Sequence, residues 1–417
     1  MAVVLLSRQA KIRHVLPSVI MRAGTSKGLF IHRHHLPDRE EDWSAILLAV
    51  MGSCPRQIDG MGGATSTTSK VAVISNSARP GIDVDYTFIQ VGVGSEAVDL
   101  SGNCGNILAG VGPFALDEGL VKAKVGQTEI NIHIFNTNTN RTIVETIQVG
   151  EDGKFEEDGY FSMGGVKGTA SEIKVAFVDP AGSMTGKLFP TGKRQEQLLV
   201  SNAPDMEPFY VQVTMCDAAN PFVFVESSSM PQIWHDIDRN SDISFDLVES
   251  IRCAGAVTMG LAKDISSAHL VRGSPKIAIL SPTLTAISTS SNEALKHPAD
   301  VSIIAYSMGL PHPSFQLTGA VCLSAAIAVP GTVASDLAKK RELIDTPPET
   351  PLESWCGEEV DMLVKKMKKQ VTIAHGSGEM TTDVEILEKV DGEVVVKSVS
   401  VSRTARRLMV GNVLFAL

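Results

Sequence analysis

Two stretches of this chain are apolar on every side, and they set what the rest must build. Residues 106–118 contain Ile107-Leu-Ala-Gly-Val-Gly-Pro-Phe-Ala115-Leu, and residues 319–329 read Gly-Ala-Val-Cys-Leu-Ser-Ala-Ala-Ile-Ala-Val. A helix with no polar face has nowhere to meet water, so other structure must wrap it. Each stretch opens at a knot of small residues, Gly102-Asn-Cys-Gly-Asn106 and Leu317-Thr-Gly-Ala320, and several strand-like runs precede each. The spacing between the knots is 214 residues (318 minus 104). We read two similar lobes, each a sheet around one central helix. The first covers 1–190 with its helix at about 104–118, and the second 191–417 with its helix at about 318–329. The division falls in the turn-rich stretch 180–205, which holds Pro180, Gly182, Gly186, Pro190, Gly192 and Pro204.

Short β-branched runs bounded by turn residues predict strands at 15–20, 28–32, 70–74, 84–91, 129–135, 142–149 and 173–178. The second half repeats the pattern at 209–215, 222–226, 276–280, 302–306, 371–374, 382–388 and 394–401. Alternation as clean as Thr382-Asp-Val-Glu-Ile386 implies one buried and one wet face, hence mostly antiparallel sheets in an α+β fold. Further helices are expected at 42–51, 246–261 and 358–369, the last a polar surface helix with basic residues at its end.

Charge and composition narrow the function. With 37 Lys plus Arg against 47 Asp plus Glu, the net charge of −10 argues against a nucleic-acid partner, whose phosphates need neutralising. No apolar run reaches the ~18 residues of a membrane span. The six cysteines, Cys54, Cys104, Cys216, Cys253, Cys322 and Cys356, show no zinc-type spacing, and a chain this long does not need disulfides. We expect no metal, and read His32, His34 and His35 as a solvated strand end. A cytoplasmic location is expected; the acid-free first 37 residues leave a short mitochondrial presequence as the alternative. Oligomeric state is open, and a homo-oligomer is compatible with the chain.

Three segments carry chemistry. Asp59-Gly-Met-Gly-Gly-Ala-Thr-Ser-Thr-Thr-Ser-Lys70 packs hydroxyls and unhindered N–H groups before one lysine at a strand start. It is not a phosphate loop, because no glycine immediately precedes Lys70 and Val71 stands where Ser or Thr is needed. Such a loop suits a carboxylate, and a half-buried Lys70 suits a base. Arg22-Ala-Gly-Thr-Ser-Lys-Gly28 is a second turn of this kind. Cys104 precedes a buried helix, where a thiolate is favoured, and Gly105 lets a ligand approach the backbone. Cys322 reads as packing. The plainer alternatives are a hydroxyl-rich surface turn for Lys70 and a small buried hydrophobe for Cys104.

These segments, with Val111-Gly-Pro-Phe-Ala115, Ala219-Asn-Pro-Phe-Val223, Leu317-Thr-Gly-Ala-Val-Cys322 and Arg403-Thr-Ala-Arg-Arg-Leu408, resemble the PrpF family in collinear order over nearly the whole chain. The resemblance implies a diaminopimelate epimerase-like fold of two lobes, each a barrel-like sheet around a central helix, with the site between them. It implies an isomerase of unsaturated di- or tricarboxylic acids such as aconitate or 2-methylaconitate, acting without a cofactor. Lys70 matches the family's catalytic lysine and Cys104 its cysteine at the first helix. By the resemblance, the second thiol that racemases of this fold carry on the other helix is replaced here by Thr318. The expected substrate-binding set is Thr25, Ser26, Lys27, Thr65, Ser66, Ser69, Gly105, Asn106, Thr318 and Gly319. A non-catalytic carboxylate-binding accessory protein and a tautomerase of an oxo-substituted acid are the alternatives.

Overall fold

The computed structural model describes residues 12–283, 299–342 and 364–417, apart from single positions 101, 308, 313 and 391. Its strands join into one continuous sheet that runs through the chain twice in the same order. In the first half, Arg13–Ala23 pairs antiparallel with Ser26–His32, which pairs parallel with Lys70–Asn76. Lys70–Asn76 pairs antiparallel with Val84–Val91, which pairs parallel with Glu129–Asn136; Arg141–Gln148 and Ile173–Val178 follow antiparallel. The second half repeats that sequence of senses with Phe209–Ala218, Asn220–Glu226, Lys276–Ser281, Val301–Ser307, Val364–His375, Gly378–Lys389 and Val394–Arg403. Val394–Arg403 then pairs with Ile173–Val178, and the last strand, Ala405–Ala416, pairs with Arg13–Ala23. By hydrogen bonding, the end of the chain lies with the first half, across the 190/191 division.

The sheet is mostly antiparallel, as expected, with four parallel pairs among its ladders. Parallel neighbours need a crossover, and each of the four parallel pairs has a helix between its strands. Trp43–Met51 and Asp242–Thr258 make one crossover in each half; the apolar stretches at 105–117 and 317–328 make the other. Strands so covered are buried on both faces and read as continuous apolar runs, as Val71-Ala-Val-Ile74 and Ile277-Ala-Ile-Leu280 do. Phe30, Ala72 and Phe88 face the central core while Leu29, Val71 and Ile89 face Trp43 and Leu47. In the second half, Phe222, Ala278 and Leu280 face inward; Val223, Ile277 and Ile279 face Leu247 and Ile251.

Both central helices share one core, and all twelve residues of Leu317–Ala328 are buried. No single described helix is long and apolar enough to cross a membrane. The first central stretch is not one helix but two pieces, Gly105–Leu108 and Val111–Asp117. Pro113 causes this: it has no N–H for the carbonyl of Ala109, and its ring crowds that carbonyl. Gly110 sits at the break, where a Cβ would lie 2.7 Å from the Phe30 ring.

Residues 364–369, expected in a helix, are strand. Their lysines find acids across the ladder, with Lys368 Nζ 2.8 Å from Glu385. Residues 358–363 and Cys356 lie outside the described residues. The strands Glu196–Val200 and Ala405–Ala416 were not foreseen.

Gly319 is a packing residue: a Cβ there would lie 2.6 Å from Phe315 and 2.7 Å from Phe222. Gly319→Val is expected to lower unfolding free energy by about 1–3 kcal/mol through overpacking. Urea denaturation checks this, and unchanged stability refutes it.

Candidate active site

A narrow cleft of about 60 Å³ lies where the two central helices begin, and it gathers Lys70, Cys104, Lys276, His312 and Thr318 on one lining. The helix starts touch: a Cβ on Gly105 would lie 2.5 Å from the Leu317 side chain. Gly105 is therefore needed for this contact, whatever else it does for a ligand.

Lys70 is the first residue of its strand, and its side chain enters the cleft with the residue only 9% exposed. Its Nζ donates to Gln90 Oε1 at 2.8 Å and sits 4.9 Å from the centre of the Phe88 ring. Gln90 is held in turn, its Nε2 donating to Ser69 O at 2.9 Å and Val91 O at 3.2 Å. The amide is thus fixed with its oxygen towards Lys70. Beneath it, the strand of Gly28 runs so close that a Cβ there would lie 2.5 Å from the Lys70 carbonyl oxygen.

Cys104 caps the first helical piece and is half-buried. Burial pushes its thiol up, but Lys70, the N–H of Ile107, Lys276 and the N–H of Asn106 together bring it below the ordinary thiol value. The piece it caps spans only four residues, so neighbouring cations and local N–H groups, more than a helix dipole, favour the thiolate. On the second helix the capping position belongs to Gln316, two residues before Thr318. Thr318 lines the same cleft from the first turn.

Several polar atoms of the lining have no protein partner: Asn103 Oδ1, Asn106 Oδ1, Gln316 Oε1 and Thr318 Oγ1 are all buried and unpaired. Buried polar groups are ordinarily satisfied, so such a gathering marks where a polar ligand is due. Two further groups are tuned by the site. Burial foremost holds His312 down at about 4, aided by the charges of Lys276 and Lys70 and opposed by its bond to the Ser314 carbonyl. Lys276 is brought to about 8, by burial first and by Lys70, against the opposing pull of Cys104 and Asp99.

Of the residues expected from sequence, Lys70, Cys104, Ser26, Ser66, Gly105, Asn106 and Thr318 line this cleft. Others do not. Lys27 and Thr65 are exposed, and Ser69 is buried and donates to Gln57. Gly319 packs against aromatics. Thr25 accepts from Asn106 Nδ2 at 3.0 Å and lines a second cavity, of about 380 Å³, that holds Arg403 and His375 but neither Lys70 nor Cys104. Sequence reading missed Thr67, Gln90, Asp99, Lys276, His312 and Gln316. Outside the cleft, His32 lies 3.0 Å from the Glu118 carboxylate, and Cys322 is fully buried.

The fold and site define a duplicated mixed sheet with a lysine- and thiol-lined cleft at the meeting of its two central helices. The chain belongs to the PrpF family: residues 13–346 match the family described as PrpF protein. A Bacillus subtilis (strain 168) relative named YraM is 38% identical over 396 residues, 94% of this chain and 96% of its own. The 2-methyl-aconitate isomerase of Cupriavidus necator is 34% identical over 411 residues, covering 95% and 96%. Among solved structures, a methylitaconate-delta-isomerase matches with a TM-score of 0.70 and 31% identity, over 98% of this chain and 96% of that one.

The tight seat of Lys70 on Gly28 yields a prediction. Gly28→Ala must displace the strand that carries Lys70, and an ångström of misplacement at a reacting group costs on the order of 10²-fold in rate. Turnover in Gly28→Ala is expected to fall at least about tenfold in steady-state assays, although residue 28 does not line the cleft. Full activity with an unchanged melting temperature contradicts the seating argument.

Proposed function

We propose that this protein is an isomerase of unsaturated di- or tricarboxylic acids that removes and returns an allylic proton. The observation that carries this reading is the convergence of Lys70, Cys104, a second lysine and the unpartnered Thr318 hydroxyl in one desolvated cleft. The names of its relatives, isomerases of 2-methylaconitate and methylitaconate, support the substrate class. The strand-pairing repeat supports the kinship with the diaminopimelate epimerase-like fold.

In such acids the C–H next to a C=C–COO⁻ group is acidified. Lys70 is the base that takes this proton, and the electron pair spreads into a dienolate over carbon and carboxylate. In this reading the second lysine and the Thr318 hydroxyl, which share the cleft lining, hold that charge, and donors fixed in a dry site stabilise it most. Return of a proton to the far carbon moves the double bond; rotation before return to the same carbon exchanges cis for trans. Nothing in the chain's net charge of −10 attracts a tricarboxylate, so local donors must supply the affinity. Contacts from fixed dipoles work best when desolvated, so the walls are expected to close over the acid.

Incubation with trans-aconitate, 2-methylaconitate and methylitaconate in heavy water tests the reading. Proton NMR is expected to show deuterium entering at least one acid along with its isomer; silence from all of them favours a carboxylate-binding accessory role instead. Lys70→Met is expected to lose at least about 10³-fold in turnover while still folded, and a variant keeping a tenth of normal activity removes Lys70 from the role of base. Cys104→Ala is expected to stay within about tenfold of normal, the thiol serving the site's electrostatics more than its proton transfer. Complete loss of turnover with intact substrate binding makes Cys104 the proton donor instead.

A further inference from the structure

The second cavity, of about 380 Å³, shares no lining residue with the cleft of Lys70 and Cys104, and one of its walls is a cation that the fold leaves without an acid. Arg403 ends the strand Val394–Arg403, where the alternation that buries Val399 and Val401 buries it too, to 4% exposure. One Nη donates to the neighbouring Ser402 carbonyl at 2.9 Å and the other to the Met380 sulfur at 2.8 Å. A thioether is a weak acceptor, and the Nε–H of Arg403 is buried with no partner. Among the described residues no carboxylate pairs with it: burial alone acts on the guanidinium, bringing it to about 10, and it stays charged near neutrality. Buried charges are ordinarily paired, because an uncompensated one is costly.

We propose that this cavity binds a small monocarboxylic acid with an apolar body, whose carboxylate takes the open Nε edge of Arg403. The site lies outside the isomerase cleft and does not rest on the isomerase reading. A guanidinium presents its N–H groups as a planar fork that matches the two oxygens of a carboxylate. Phe315 and Met380 are buried on the same lining, and Phe161 and Met163 are half-buried there, so the rest of the molecule meets apolar surface. The hydroxyls of Ser314 and Thr25 stand among them. A cavity of this size falls in the range of roughly 300–1,000 Å³ usual for small-molecule sites.

The other charged groups of the lining limit the ligand to one carboxylate. Glu172, Asp383 and Lys174 are exposed there. Glu172 accepts from Ser402 Oγ at 2.5 Å, and Asp383 from Gln370 Nε2 at 3.3 Å. Glu379 adds a carboxyl that burial raises, with its Oε1 unpaired. His375 is held down at about 4, by burial first and then by Arg403, so it stays neutral. Two exposed carboxylates against one lysine repel a second negative group on the ligand, the reverse of the two-lysine cleft. The two sites stand back to back. Thr25 of this lining accepts from Asn106 of the cleft at 3.0 Å, and the Ser314 carbonyl lies 2.6 Å from Nδ1 of His312, which also lines the cleft.

The probe is 4-fluorobenzoate, followed by fluorine NMR with the full chain near neutral pH. The wild-type protein is expected to bind it with a Kd of about a millimolar or tighter. Arg403→Met removes the charge at similar length, and Thr381→Trp fills the exposed side of the cavity without touching the guanidinium; each should weaken binding at least about tenfold. Lys70→Met should bind as the wild type does, and an excess of trans-aconitate should leave the probe bound. Because Arg403→Met takes away an unpaired buried cation, its melting temperature without ligand should equal or exceed that of the wild type, and 4-fluorobenzoate should raise the wild-type value alone. No binding by the wild type overturns the proposal, as does equal binding by wild type and Arg403→Met. Loss of binding in Lys70→Met places the acid in the cleft and also overturns it. Displacement by trans-aconitate as readily as by benzoate overturns the preference for one charge. If Arg403→Met fails to fold, Thr381→Trp decides, and unchanged binding there refutes the site. None of these readouts depends on turnover, so they stand or fall apart from the isomerase reading.

Discussion

Everything in the cleft depends on how closely the two central helices meet. Gly105 abuts the Leu317 side chain with no space for a Cβ between them. That contact brings Cys104 and Asn106 from one half against Gln316 and Thr318 from the other. It also sets the depth at which Lys70 and Lys276 end, since each lysine starts a strand in its own half. A side chain at 105 would push the halves apart and open to water a site whose electrostatics depend on being dry. The sheet serves the same end: continuous hydrogen bonding from Ile173–Val178 to Val394–Arg403, and from Arg13–Ala23 to Ala405–Ala416, ties the halves together on either side of the helices.

Given that closeness, the charges of the site are set by one another. Burial raises the thiol of Cys104, and the two lysines with the N–H groups of Ile107 and Asn106 more than offset it; burial lowers the ammonium of Lys276, and Cys104 with Asp99 partly offsets it. His312, buried beside both lysines, stays neutral over the ordinary pH range and contributes shape and hydrogen bonding without charge. A polycarboxylate entering such a cleft meets cations already stripped of water, where a charge–charge interaction is several times stronger than at the surface.

Much of this was legible in the sequence, and the failures have physical reasons. The two buried helices were visible because an apolar stretch with no polar face has one solution. Lys70 and Cys104 stood out because glycine and hydroxyl residues surround them. Lys276 did not: Gly273-Ser-Pro-Lys276 reads as an ordinary turn into a strand, and its place in the cleft appears only in the fold. Which strands pair parallel was not legible from alternating strands such as 382–388; the sign is a run such as Val71-Ala-Val-Ile74, buried on both faces and without alternation. The lysine-rich stretch 364–369 imitates a surface helix, since its counter-charges lie across a ladder and not four residues along. Ser69 and Gly319 have the chemistry of binding residues but are consumed by Gln57 and by the aromatic pair Phe222 and Phe315. Composition cannot tell a hydroxyl or a bare backbone that faces a ligand from one that faces its own core.

The repeat also shows where the halves have parted, and those departures give the site its direction. A symmetric cleft would present the same group to each face of a substrate, as a racemase requires. Here the lysines match, but the capping residues are Cys104 and Gln316, and the partners level with the lysines are Gln90 and Ser307. Lys70 is pinned by an amide and stands over the Phe88 ring. Lys276 shares its side of the cleft with His312 and is backed by the Glu249–Arg252 pair. Duplication supplied one lysine from each half to the cleft, and divergence around them is what gives the two unlike surroundings.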